Sequence, residues 1–152
     1  MEYLRDGGFP EFVRTGNQDV LTALFDDILY RDIAVRYGIR DVVSLKALLL
    51  YLAANFGNLA SANKLAGMVG IKTGKTALEY LSYFEEAYFI SRMPKFSWSL
   101  KAQYVNPQKI YFIDTALSQA VTVSFTGNTG HMLENVVYWE LRRRYRQLYY
   151  FS

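Results

Sequence analysis

The segment Gly70-Ile71-Lys72-Thr73-Gly74-Lys75-Thr76 comes nearest to a phosphate-binding loop. A P-loop needs four residues between its first glycine and the Gly-Lys-Thr, and here three intervene. It must also join a strand to a helix, so that loop amides and the helix N-terminus converge on phosphate. The residues before Gly70 read instead as a helix, with Leu65, Ala66 and Val69 on one face. Nucleotide binding is not expected here, and no other P-loop candidate exists in the chain. His131 is the single histidine and there is no cysteine, so a zinc site is not expected. Glu134 and Glu140 stand six apart on one helical stretch and do not share a face. Asp114 ends a β-like run and reads as the cap of a short helix. No Ser-His-Asp arrangement follows from the spacing. The chain by itself reads as non-catalytic, with no cofactor or metal site.

What remains is recognition chemistry. Residues 1–60 carry six basic and eight acidic groups, a net −2, whereas residues 61–152 carry eleven and six, a net +5. Two clusters make the difference: Arg92, Lys95, Lys101 and Lys109, with no acid between Ala87 and Ile113, and Arg142, Arg143, Arg144 and Arg146. Either is a candidate for phosphate; the plainer reading of each is a solvated face. Gly70 falls between two amphipathic helical patterns. Ser61 is placed to cap the first and Thr73 the second, whose apolar face is Ala77, Leu78, Leu81 and Phe84. A β-rich run follows, so the layout is that of a winged helix-turn-helix. The candidate nucleic-acid contacts are Lys72, Lys75, Thr76 and Tyr80 on the second helix, and Arg92, Lys95 and Lys101 beyond it. Residues 72–86 hold two lysines against three glutamates. That balance suits a major groove poorly, and the wing is better placed to attract phosphate.

These patterns sit in an ordered series of elements. Residues 5–18 read as loop. Asp19 to about Tyr37 reads as a helix with the stripe Val20, Leu21, Leu24, Phe25, Ile28 and Leu29, broken by Gly38. Ser44 is placed to cap a helix from Leu45 to Phe56, apolar nearly all round and therefore buried. Tyr88–Met93 and Lys109–Asp114 are β-like, with part of a wing between them. Thr115–Val123 reads as a short helix and residues 126–130 as a linker. A last helix runs from Gly130 to about Tyr145 with Leu133, Val136, Val137 and Leu141 on its apolar face. Leu148–Phe151 reads as a strand opened without a downstream partner, which suggests a piece of a longer protein. No stretch of 18 apolar residues exists, so no membrane span is expected. The lack of cysteine agrees with a reducing, cytoplasmic setting.

Five segments in this order resemble one family. They are Gly7-Gly8-Phe9-Pro10-Glu11, Tyr30-Arg31-Asp32-Ile33, Tyr80-Leu81-Ser82-Tyr83-Phe84-Glu85-Glu86, Lys109-Ile110-Tyr111-Phe112-Ile113-Asp114-Thr115 and Gly130-His131-Met132-Leu133-Glu134-Asn135-Val136-Val137. The chain is similar to the C-terminal half of a family of prokaryotic AAA-type ATPases of uncertain role. The resemblance implies a P-loop core outside this chain, which would hold ATP and Mg, then a winged helix, then the start of a domain similar to the PD-(D/E)XK nucleases. Glu134 matches the first-helix acid of that nuclease fold, whose remaining site residues would lie beyond Ser152.

The expected fold is mainly α with a small β-wing, an α+β winged helix-turn-helix flanked by extra helices. Residues 1–41 are expected to be a lid-like helical segment, 42–125 the winged helix, and 126–152 a linker and the first helix and strand of a truncated nuclease-like domain. The expected function is a non-catalytic fragment that links an ATPase core to nucleic-acid or protein partners. The expected partners are that core and DNA, with no membrane, and with self-association through an exposed apolar patch. The alternative is a free-standing winged-helix transcriptional regulator that binds DNA.

Overall fold

The structure, a computed structural model, describes residues 17–122 and 129–151. The Gly7–Glu11 segment, most of the leading loop and residues 126–128 of the linker lie outside the described residues. The fold is mixed α+β: helices surround one three-stranded antiparallel sheet.

Helix α1 (Gln18–Asp27) starts at Asn17, whose side chain accepts from the Asp19 amide at 3.0 Å. It continues as a π-helical stretch, π1 (Ile28–Val35). Leu21, Phe25, Leu29 and Ile33 are all buried at four-residue intervals. Such a stripe drifts round a helix of 3.6 residues per turn. Widening to i→i+5 bonds turns it back toward the core. Helix α2 (Val42–Ala54) is capped by Asp41, whose carboxylate accepts from the Ser44 amide. The cap is thus Asp41, three residues ahead of the expected Ser44, and Ser44 is buried in the first turn. Leu45, Leu48, Leu49 and Leu52 fill the centre of the core, as an all-round apolar helix requires.

The order then runs β1 (Leu59–Ala60), α3 (Ala62–Val69), α4 (Gly74–Glu86), β2 (Ile90–Met93), α5 (Leu100–Val105), β3 (Gln108–Phe112), α6 (Thr115–Val121) and α7 (Thr129–Arg144). Gly70 ends α3 at φ 78°, in the left-handed region that glycine enters without steric cost. Thr73 caps α4 by accepting from the Thr76 amide at 3.2 Å. Ser61 stands at the expected N-cap of α3 but makes no side-chain cap bond. Strand β3 is central, with Ile90 opposite Phe112 on one side and Leu59 opposite Lys109 on the other. The segment between β2 and β3, read from the sequence as part of a wing, carries a helix of its own, α5.

The C-terminal part differs most from expectation. Helix α7 forms where the pattern placed it, but Leu133, Val137 and Leu141 are exposed while Asn135 and Tyr138 are buried. The inward face is the polar-aromatic one. After α7, Tyr150 finds its partner upstream: it makes a parallel bridge to Lys95, outside the three-stranded sheet. Among the described residues no helix is long and apolar enough to cross a membrane.

Candidate nucleic-acid interface

The α3–α4 pair is packed closely at its base. A Cβ added to Gly74 would lie 2.0 Å from Asn63 Oδ1 and 3.3 Å from the Asn63 amide nitrogen, so the first turn of α4 rests against the first turn of α3. This leaves the outer face of early α4 open. Lys72 and Lys75 are exposed, and Thr76 is half-buried with its hydroxyl 3.1 Å from that of Thr73. An open groove of about 450 Å³ runs from Ser61 and Asn63 past Lys75, Leu78 and Glu79 to Tyr104 and Val105 of α5. The groove therefore brings early α4 and α5 together, with Lys101 exposed in the first turn of α5. Glu79 on the same wall offsets part of the positive charge.

Two of the sequence candidates point elsewhere. Tyr80 turns toward the π1–α2 junction, where it packs 6.3 Å from Tyr83, itself stacked on Tyr37 at 3.8 Å. Burial pushes the Tyr80 hydroxyl above its ordinary pKa. Arg92 folds back on α4: its guanidinium lies 3.3 Å from Glu85 and 3.4 Å from the Ser82 hydroxyl, and its side chain is only 12% exposed. Both residues hold the module together. The cations that face outward are Lys72, Lys75 and Lys101, with Lys95 half-buried beside the Tyr150 bridge.

The second basic cluster is partly spent on α7 itself. Arg142 donates to the carbonyls of Tyr145 and Arg146 at 3.1 and 2.7 Å, closing the helix end, and Arg143 and Arg144 pair with Glu140. Cations in a last helical turn also meet the negative end of the helix dipole.

Glu134 sits on the sheet. It accepts from Lys109 Nζ at 3.1 Å and from the Tyr111 hydroxyl at 2.8 Å. Burial alone would raise its pKa, but the bonds from Tyr111 and Lys109 outweigh it and hold the carboxyl below its ordinary value. The Tyr111 hydroxyl is driven well up, first by burial and then by Glu134. Asp114 caps α6, accepting from the amides of Ala116 at 2.9 Å and Leu117 at 3.1 Å. His131 lies against Gly57, where an added Cβ would come within 2.6 Å of its Nδ1. Among the described residues no three His, Asp or Glu side chains gather in a way that could hold a metal ion.

Sequence reasoning missed the contact that seats α7. The Asn135 amide accepts from Phe112 N at 3.0 Å and donates to Phe112 O at 2.7 Å, and Trp139 Nε1 donates to the same carbonyl at 2.7 Å. One turn on, Tyr138 stacks on Tyr111 at 4.0 Å and shares a 2.6 Å hydrogen bond with Ser91. The signal was present in the spacing of Asn135, Tyr138 and Trp139, which is that of one helix face.

The model of a domain of unknown function, DUF8612, matches residues 1–128, and the chain belongs to that family. The chain is similar to an uncharacterized protein of Methanocaldococcus jannaschii, 34% identical over 151 residues, covering 94% of this chain and 33% of that protein. It is also similar to an uncharacterized protein of Haemophilus influenzae, 29% identical over 150 residues, covering 94% of this chain and 38% of that protein. The chain thus spans about a third of the length of these curated relatives. No solved structure matches it.

Proposed function

We propose that this DUF8612 protein is a non-catalytic winged-helix module that works inside a larger AAA-type ATPase, joining the ATPase core to a nucleic-acid partner. The observation that carries this reading is the order α2-β1-α3-α4-β2-α5-β3 with its strands arranged β1-β3-β2. In support, α4 packs closely on α3 at Gly74 and Asn63 and leads into β2, and a helix-turn-helix followed by a wing has the same order of elements. In this reading β2, α5 and β3 form the wing. Lys72, Lys75 and Thr76 on early α4, with Lys95 and Lys101 from the wing, meet phosphate across the groove. Such contacts position the module without reading sequence. The polar docking of α7 on β3 makes module and helix move together, so a change in the core would be passed on as a change of position.

Membership in longer relatives supports a module that acts beside other domains. ATP and Mg belong to the core in this account, and Glu134 serves the fold.

The test has two arms. Titration of the chain with a short DNA duplex, followed by anisotropy over a salt series, should show weak binding that falls with salt. The double variant Lys75→Glu/Lys101→Glu should flatten that dependence by about two phosphate contacts, or roughly 1.8 in the log–log slope. Absence of duplex binding at low salt would remove the nucleic-acid role. In the second arm, the full-length Methanocaldococcus jannaschii relative should hydrolyse ATP; a full-length protein without ATPase activity would remove the motor context.

A further inference from the structure

The wing segment and the last described residues meet in an aromatic cluster that the sheet does not use. Phe96 is its centre, with ring centroids 5.0 Å from Trp98, 5.7 Å from Tyr149 and 5.2 Å from Phe151. The two segments are tied by backbone bonds: Phe96 N donates to Tyr150 O at 2.9 Å and Tyr150 N to Pro94 O at 3.1 Å. The Tyr150 hydroxyl donates to the Pro107 carbonyl. Phe96 is thus held from beneath while the outer rings face water, Trp98 at 93% and Phe151 at 78% exposure.

The segments that carry these rings hold charge of one sign. Residues 88–112 and 145–151 contain no aspartate or glutamate. They supply Lys95, Lys101 and Arg146, which form no ion pair among the described residues, whereas Arg92, Lys109, Arg143 and Arg144 do.

We propose that this cluster is a stacking platform for single-stranded nucleic acid. Every base has a π face, so exposed rings accept a strand whatever its sequence, while neighbouring cations follow the phosphates. An apolar peptide would use the rings and gain nothing from the cations on these acid-free segments; a polyanion with flat apolar bases uses both. The proposal does not rest on the contact of early α4 with a duplex. It needs unpaired bases, which a duplex keeps inside its stack.

Trp98 supplies the readout. The chain has two tryptophans, and the Trp139 indole is committed to the Phe112 carbonyl. Stacking of a base on Trp98 should therefore quench fluorescence. The intact chain is titrated with an oligo(dT) of about 20 nucleotides and with a duplex of equal length at low salt. Quenching by oligo(dT) is expected, with a log–log salt slope near −2 if three cations each contribute about 0.7. Trp98→Leu should weaken binding, read by anisotropy, by about tenfold. Phe151→Leu should weaken it in the same direction. Both positions are exposed, and circular dichroism checks that the variants fold. Lys72→Glu/Lys75→Glu should leave oligo(dT) binding in place, so loss of duplex binding in that variant with quenching intact separates this site from the early-α4 contact. The proposal is overturned if oligo(dT) does not quench, if Trp98→Leu binds it as tightly as the parent, or if an uncharged apolar peptide quenches while oligo(dT) does not.

Discussion

Asn135 should be worth more to this fold than any leucine on its helix. It is 1% exposed, and its amide serves both polar groups of Phe112, itself fully buried. The reason lies in the sheet edge. On the side of β3 away from β2, Ile110 is served by Asn58 and Gly57. Strand β1 pairs only with Gln108 and Lys109. Phe112 lies further along that edge, and the Asn135 side chain stands in for the missing strand. In Asn135→Ala the Phe112 amide loses this bond, a cost of about 1–3 kcal/mol for a buried unsatisfied group. The Phe112 carbonyl keeps Trp139 and loses one of two donors, adding about 0.5–1.5 kcal/mol. A total near 3 kcal/mol corresponds to a fall in Tm of about 6–12 °C for a chain of this size. Thermal melts give the total, and amide hydrogen exchange gives the place. Protection at Phe112 should collapse while that at Ile110, held by Asn58, persists. A Tm within about 2 °C of the parent, or equal loss at both amides, would show that α7 does not complete the sheet.

Val137→Ser, on the exposed side of the same helix, should change stability by no more than about 0.5 kcal/mol in a denaturant melt; a loss several times larger would mean that the face is covered. Tyr88 has φ 63° just past the end of α4 and is 78% exposed. A bulky residue in that region is strained, so Tyr88→Gly should raise stability by about 1 kcal/mol, and a lower Tm would assign Tyr88 a contact that offsets the strain. Because Glu134 has a lowered folded-state pKa, its contribution is present above the ordinary carboxylate range and is lost as pH falls through the folded value. Urea melts should therefore show the parent losing more stability than Glu134→Gln between neutral pH and pH of about 3, and parallel curves would exclude the carboxylate from the pH response.

The first half of the fold could be read from sequence because its signals are local. A glycine at the αL position, a threonine cap and an apolar face at helical spacing act within a few residues of one another, and Gly70, Thr73 and Leu81 appear where those rules place them. The cap of α2 slipped by one turn because Asp41 and Ser44 are both good caps. A choice between them depends on how the chain leaves Gly38. The cationic candidates were harder. Arg92 and Lys101 look alike in composition, yet Arg92 lies on β2 opposite Ile110 and bends back to Glu85, and Lys101 sits exposed on α5.

Helix α7 marks the point where local reading fails for a physical reason. Apolar periodicity assumes that the inward face is the greasy one, because burying an amide without a partner is costly. The assumption reverses when the surface being covered is itself polar. Here that surface is the unpaired edge of β3 at Phe112, with the hydroxyls of Tyr111 on β3 and Ser91 on β2. Only a face bearing Asn135, Glu134, Tyr138 and Trp139 can satisfy these groups. Leu133, Val137 and Leu141 would have left the edge unsatisfied, and so they face outward. The direction of α7 is decided by hydrogen-bond accounting at β3, where Phe112 lies 23 residues upstream of Asn135, and it becomes visible only when strand and helix are brought together.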